Sequence, residues 1–336
     1  MKAVAFNQPL PIDQPGALQD IELPSPVPGP RDLLVRVKAV SVNPVDTKVR
    51  NSAKPADGQF RVLGWDAVGI VEAIGDAVQN FAPGDRVFYS GDITRPGTNS
   101  ELHAVDERIV ALAPTTLSDA QAAALPLTTI TAYELLFDRL GVTQGGGEGR
   151  TLLVVGGAGG VGSILIQLAR QLTKLRVVAT ASRAETRRWC LDLGAHLVVD
   201  HARPLAAELR AAGIENVDLV ASLTQTEKHY AQLIEALVPQ GKLALIDDMK
   251  VLDAMPLKSK CISLHWEFMF ARSMYQTADM HRQGELLAEV AALVDAGKVR
   301  TTLGETFGTI DAASLTKAHA FIESGKAQGK VVLEGF

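Results

Sequence analysis

The chain has only two cysteines among its 336 residues, Cys190 and Cys261, and they stand far apart. With no C-x-x-C pair there is neither a thiol-exchange motif nor a cysteine clamp for a structural zinc, and a reduced setting fits. Aromatic residues make up 5% of the chain, and its apolar runs are too short or too interrupted by charge to span a bilayer. Positive charge is not in excess: 33 Lys and Arg stand against 38 Asp and Glu, for a net charge of −5. That balance gives no general attraction to phosphate backbones or anionic membranes, so neither nucleic acid nor a membrane is an expected partner. The opening residues MKAVAFNQPLPIDQ carry no basic stretch followed by an apolar core, and the expectation is a cytoplasmic protein. Internal repeats and low-complexity tracts are absent as well.

What is present is enough apolar material for two cores: 47% of residues are hydrophobic, and the length suits two domains. Up to about residue 124 the punctuation is dense. PLPIDQPG, LPSPVPGPRD and FAPGDRV separate short alternating runs such as LLVRVKAVSV and AVGIVEAIG, a pattern of strands and turns. From Ser118 the texture changes. SDAQAAALPLTTITAYELLFDRL carries a helix-starting Ser or Asp and apolar residues at helical spacing, and predicts a helical connector. After the flexible turn QGGGEGR come six apolar runs, 151–157, 176–182, 196–201, 217–223, 241–247 and 262–270, divided by helix-like segments. Continuous Val, Leu and Ile runs of this kind predict a parallel sheet covered on both faces, a doubly wound α/β domain. The final segment reads as helices and short strands that return to the first domain. The resulting division is 1–122 completed by 275–336, and 123–274.

Within VVGGAGGVGSILIQLARQL, Gly157, Gly159 and Gly162 form a G-x-G-x-x-G that closes a strand and opens a helix. Such glycines allow a tight turn, close approach of the backbone to a pyrophosphate, and close helix–strand packing. With Gly160 and Val161 they predict a dinucleotide on the helix N-terminus. About 20 residues on, where an acid would bind the ribose 2′-hydroxyl of NAD, the chain instead offers Ser182, Arg183 and, further along, Arg187. A guanidinium suits a 2′-phosphate because it is planar, always charged and can bond in a fork. The expected cofactor is NADPH. Arg187 with Arg188 also reads as a solvated helix face. His196 and His201, five apart on a predicted strand, point to opposite faces and make no metal pair; His201 is counted with the cofactor-binding residues.

The strand-rich first domain ending in FAPGDRV, the PLTTITAYELL connector and GGAGGVG opening the second domain resemble the medium-chain dehydrogenase/reductase superfamily over essentially the whole chain. SVNPVDTKVR, YSGDITRPGTNSELHAVDERIV and SLHWEFMFARSMYQTADM look most like its zinc-type alcohol dehydrogenase-like branch, close to the NADPH:quinone oxidoreductases. The resemblance implies a GroES-like β-rich catalytic domain, a Rossmann cofactor domain and an active site in the cleft between them. It implies a homodimer or homotetramer acting on a small molecule. It also places Thr131 beside the cofactor.

In the zinc alcohol dehydrogenases a cysteine begins C-H-x-D, a histidine sits in G-H-E, and a further cysteine lies near the start of the connector. The matching positions here are Asn43 in Asn43-Pro44-Val45-Asp46, Trp65 in Gly64-Trp65-Asp66, and about Leu127. No metal is therefore expected, since Asn and Trp replace N and S ligands that zinc requires. Asp46 reads as structural, bonding backbone amides. Trp65 reads as packing or as a substrate contact. Asn43 reads as a donor to the substrate oxygen or as a turn-former before Pro44. Without a Lewis acid an alkoxide loses its stabilising group, whereas an electron-poor acceptor needs less help. The expected activity is hydride transfer from NADPH to a quinone or α,β-unsaturated carbonyl, with Asn43, Trp65 and Asp46 as candidate active-site residues. The alternatives are a zinc-type alcohol dehydrogenase and a non-enzymatic NADPH-binding sensor or structural protein.

Overall fold

The structure, a computed structural model, describes all residues from Met1 to Phe336. The chain forms two compact units: Met1–Ile130 with Phe270–Phe336, and Thr131–Met269. The divisions thus fall at 130/131 and 269/270, inside the segments read from sequence as wholly cofactor domain.

In the first unit the long strand Asp32–Val42 organises a seven-stranded sheet. Its alternating Leu33, Val35 and Val37 bury one face, as period-2 patterning requires. It pairs antiparallel with Asp66–Ile74 along most of its length, and with Leu102–Asp106 and then Lys330–Glu334 over successive stretches. The strand Lys330–Glu334 is the physical form of the predicted C-terminal return, and Leu303–Thr306 joins it in parallel. A separate three-stranded sheet holds Lys2–Phe6 between Gln19–Glu22 and Arg61–Val62. This is the GroES-like β-rich unit.

The connector is not one helix. Ser118 caps Asp119–Ala123 by accepting from the Gln121 amide, Pro126 opens a second helix, Pro126–Tyr133, and Glu134–Arg139 continues as a π-helical turn. Pro126 fits there because a first-turn residue needs no intrahelical N–H donor.

The second unit is a six-stranded sheet in which every pairing is parallel. Across the sheet the strands run Leu197–Val199, Arg176–Thr180, Thr151–Val155, Val217–Ser222, Leu237–Leu245 and Ser263–Trp266. Numbered within the unit this is 3-2-1-4-5-6, the order of dinucleotide-binding folds. All six apolar runs read from the sequence are strands. Helices such as Gly160–Leu172 bury Ile164, Leu165, Ile166 and Leu168 against it. The third strand is short, so His196 and His201 both lie just outside it; they do not diverge across a strand. His196 instead accepts from the Val177 amide (2.8 Å), and His201 meets Thr180 Oγ1 (3.1 Å).

Candidate active site

In the second unit the glycine-rich turn leaves the first strand at Gly156 and enters the helix Gly160–Leu172 with Gly159 as N-cap. The left-handed residue is Gly156 (φ +83°), not Gly157, so the tight turn belongs one position earlier than the motif suggests. Gly157 serves packing: a methyl there would lie 2.8 Å from Ala179 Cβ and 3.0 Å from Cys190 Sγ. Gly162 is more constrained, since its added carbon would meet Gly156 O at 2.4 Å and Gly157 Cα at 2.7 Å. Around Gly159 only Gly156 O comes near, at 3.5 Å, so the fold itself leaves the N-cap open on that side. A dinucleotide pyrophosphate fits this cradle, because the helix N-terminus presents backbone N–H groups over a surface without side chains.

Beyond the second strand, Ser182 and Arg183 are exposed, and the Arg183 guanidinium pairs with Glu185 at 2.9 Å on the surface. Arg187 is partly occupied elsewhere. Its Nη2 donates to Val198 O (2.9 Å) and its Nη1 faces Ala181 O (3.5 Å), so part of its guanidinium is engaged by carbonyls of the third strand and of the turn after the second, and it is not simply a solvated helix face. Thr131 is buried in the connector helix. One feature of the motifs was not read from sequence: Glu134 of TAYELL and Glu267 of SLHWEF are both buried side chains, with Arg139 2.8 Å from Glu267. Burial, then the neighbouring Glu134, pushes the Glu267 carboxyl up to about 9.

In the first unit, Asn43, Asp46, Trp65 and Asp66 do come together, on the end of the strand Asp32–Val42, the start of the helix Pro44–Ser52 and the start of the strand Asp66–Ile74. Gly64 makes the entry to Trp65 with φ +91°, a conformation glycine adopts without a Cβ penalty. Asp46 accepts two backbone amides, Asn43 N–H (2.7 Å) and Gly64 N–H (2.9 Å), which ties the helix N-terminus to the G-W-D turn. Burial pushes its carboxyl up to about 7, against the lowering effect of those amides and of Lys330.

The residue that completes the cluster is Lys330, which the sequence reading missed. Its Nζ bonds Asn43 Oδ1, pairs with Asp66 Oδ2 at 3.1 Å and lies 3.4 Å from Val42 O. A lysine opening the apolar strand run KVVLE is out of pattern, and that was the available signal. Asp66 is fully buried and also accepts from Asn43 Nδ2 (2.8 Å) and Leu127 N–H (2.6 Å).

One sequence expectation changes here, and one choice left open is decided. The Asn43 amide is committed on every side, donating to Asp66 and to Ser41 O (3.3 Å) and accepting from Lys330, so it has no hydrogen left for a substrate oxygen. Trp65 is 1% exposed, packs edge-on to Phe270 with centroids 5.6 Å apart and donates from Nε1 to Asp92 O (3.3 Å). Packing, not substrate contact, is its geometry.

A catalytic zinc does not fit these residues. Asn43 already gives its oxygen to an ammonium, Trp65 has only an N–H donor, Leu127 offers a backbone amide, and Lys330 brings positive charge into their midst. No group of three or more His, Cys, Asp or Glu is arranged to hold a metal ion anywhere in the chain.

Against known proteins, residues 29–115 match the alcohol dehydrogenase GroES-like domain and residues 193–333 match the zinc-binding dehydrogenase model. A zinc-type alcohol dehydrogenase-like protein of Staphylococcus epidermidis is 39% identical, over 99% of both chains. The 2-methylene-furan-3-one reductase of Solanum lycopersicum is 31% identical over 90% of this chain and 71% of its own length. Among solved structures, a protein from Rhizobium etli CFN 42 assigned as a zinc-dependent alcohol dehydrogenase superposes with a TM-score of 0.97 at 55% identity, covering 100% of this chain and 98% of that one. Two-domain architecture, strand order and full-length similarity agree, and the chain belongs to the medium-chain dehydrogenase/reductase superfamily, as an oxidoreductase of its zinc-type alcohol dehydrogenase-like branch.

Proposed function

We propose that this oxidoreductase is an NADPH-dependent reductase that delivers hydride to an α,β-unsaturated carbonyl or a quinone without a catalytic metal. The observation that carries the reading is the closed network of Asn43, Asp66, Leu127 N–H and Lys330 where the family's zinc ligands would stand. Nothing in that network can polarise a simple alcohol as a Lewis acid does. An electron-poor acceptor needs less assistance, and the tomato relative acts, by its name, on a conjugated ketone.

Bound NADPH supplies the hydride. The chain's own part is to hold and orient: the Gly156–Gly162 turn and helix N-terminus bind the pyrophosphate, and Ser182 with Arg183 bind the 2′-phosphate. Asn43 and Asp46 set the backbone around the acceptor, Trp65 fills the wall behind them, and solvent returns the proton. Arg187, bonded to Val198 O, helps to hold the loop after the second strand. By resemblance to its family, the protein acts on a small molecule as a homodimer or homotetramer in the cytoplasm. No helix is long and apolar enough to cross a membrane.

The test is a panel of enones, quinones, aldehydes and alcohols assayed with NADPH and NADH, with elemental analysis of the same preparation. Reduction of enones or quinones by NADPH, unaffected by chelators, is the expected result. Protein that binds NADPH yet reduces no acceptor would instead be a sensor or structural protein. About one zinc per chain, removed together with alcohol oxidation, would make it a zinc alcohol dehydrogenase.

A further inference from the structure

We propose that Lys330 is the positioning residue of this site, doing with a fixed ammonium what a metal would do with ligand bonds. This deepens the reductase reading and rests on it for its kinetic test. The ammonium has three hydrogens in tetrahedral array, and three oxygens surround it: Asn43 Oδ1, Asp66 Oδ2 and Val42 O. Its side chain is 3% exposed and that of Asp66 is 0% exposed. A buried ion pair is retained at a cost in desolvation, so its geometry matters more than its contribution to stability.

The pair acts on both segments through which the site is built. On one side Lys330 fixes the oxygen of the Asn43 amide, and Asp66 fixes its nitrogen, so the plane of that amide is held at both ends. On the other side the second Asp66 oxygen takes the Leu127 N–H in the first turn of the helix Pro126–Tyr133. A carboxylate there also meets the positive end of the helix dipole. The positions resembling two family zinc ligands, 43 and 127, are thus fastened to one carboxylate, with a lysine supplying the cation. Other charge near the cluster comes from Asp46, whose carboxyl Lys330 pulls down and Asp66 pushes up. Lys330 arrives from the C-terminal strand, which pairs along Ala39–Val42 and so is locked in register beside Asn43.

The experiment compares Lys330→Met, Lys330→Arg and the double variant Lys330→Met/Asp66→Asn with the wild type, using an acceptor that the wild type reduces. Lys330→Met is expected to lower kcat at least about tenfold, the scale of a small misplacement of reacting groups. The KM for NADPH should stay within about threefold, and Lys330→Arg, which keeps the charge but not the tetrahedral array, should recover only part of the rate. The double variant removes both charges of the pair together, leaving neither uncompensated, and should melt near the wild type. Its rate should stay low, because an asparagine side chain has one acceptor oxygen for donors that now reach two. A double variant with wild-type kcat, or a folded Lys330→Met with wild-type kcat, would overturn the proposal and leave the pair as a clamp on the fold. If the wild type reduces no acceptor, the reductase reading fails by itself, and amide hydrogen exchange decides the positioning role. Faster exchange at Leu127 in Lys330→Met, with the neighbouring sheet amides unchanged, supports it; unchanged exchange at Leu127 overturns it.

Discussion

Replacing Asp46 by asparagine measures what it costs to keep a buried acid at the head of the helix Pro44–Ser52. Asp46 is 1% exposed, and burial is the largest influence raising its carboxyl from the ordinary 3.8 to about 7. Between those values the folded protein holds a proton that the unfolded chain has released. Stability from this group is therefore greatest in acid and falls as pH rises through about 4 to 7. At about 1.4 kcal/mol per unit, Asp46 contributes roughly 3 kcal/mol less at pH 8.5 than at pH 5. The asparagine variant has no such proton. It also offers one oxygen to two amides, Asn43 N–H and Gly64 N–H, and leaving one of them buried and unpaired costs about 1–3 kcal/mol. The variant should thus be less stable than the wild type at pH 5, with the gap closing or reversing by pH 8.5. Urea unfolding at the two pH values gives the difference, with the midpoint and slope fitted separately. Groups common to both proteins, including the depressed histidines His103 and His319, cancel in that difference. A gap that is constant with pH, or that widens as pH rises, would refute the reasoning.

Five further variants have outcomes set by the geometry. Arg183→Ala should weaken NADPH binding roughly tenfold or more while leaving NADH unchanged, the scale of one charge-assisted contact. Arg187→Ala should instead lower stability by about 1–2 kcal/mol through the unpaired Val198 carbonyl; paired fluorescence titrations and melts of the two variants check both. Gly159→Ala should keep its melting temperature and lose cofactor affinity, whereas Gly162→Ala should be destabilised because the added carbon meets backbone at 2.4 Å; calorimetry with and without NADPH separates them. Trp65→Ala should cost about 3–5 kcal/mol in urea unfolding, as truncation of a buried aromatic does. A loss under about 1 kcal/mol would show that Trp65 is not packed as described.

The sequence by itself determined what depends on local pattern. Period-2 runs, continuous apolar runs and the glycine cluster are statements about neighbouring residues, so the strand-rich first part, the six parallel strands and the glycine-rich turn between the first of them and its helix were legible. The resemblance to the zinc alcohol dehydrogenases, not the pattern itself, is what matches Asn43, Trp65 and about Leu127 to that family's ligand positions. Tertiary structure decided which groups those residues face. Lys330 lies far along the chain from Asn43 and Asp66 and meets them only because the last strand pairs with Asp32–Val42. That contact turns Asn43 from a free donor into a committed amide. Arg187 read in part as a solvated helix face because a helix periodicity cannot show that carbonyls of the third strand and of the turn after the second face it. Gly156 took the left-handed turn because the glycine pattern fixes spacing, while φ follows from where the strand must reverse into its helix. Hydrogen-bond partners are chosen by proximity in three dimensions, and a burial cost makes that choice binding: once Asp66 is sealed from water, every donor within reach is drawn into satisfying it.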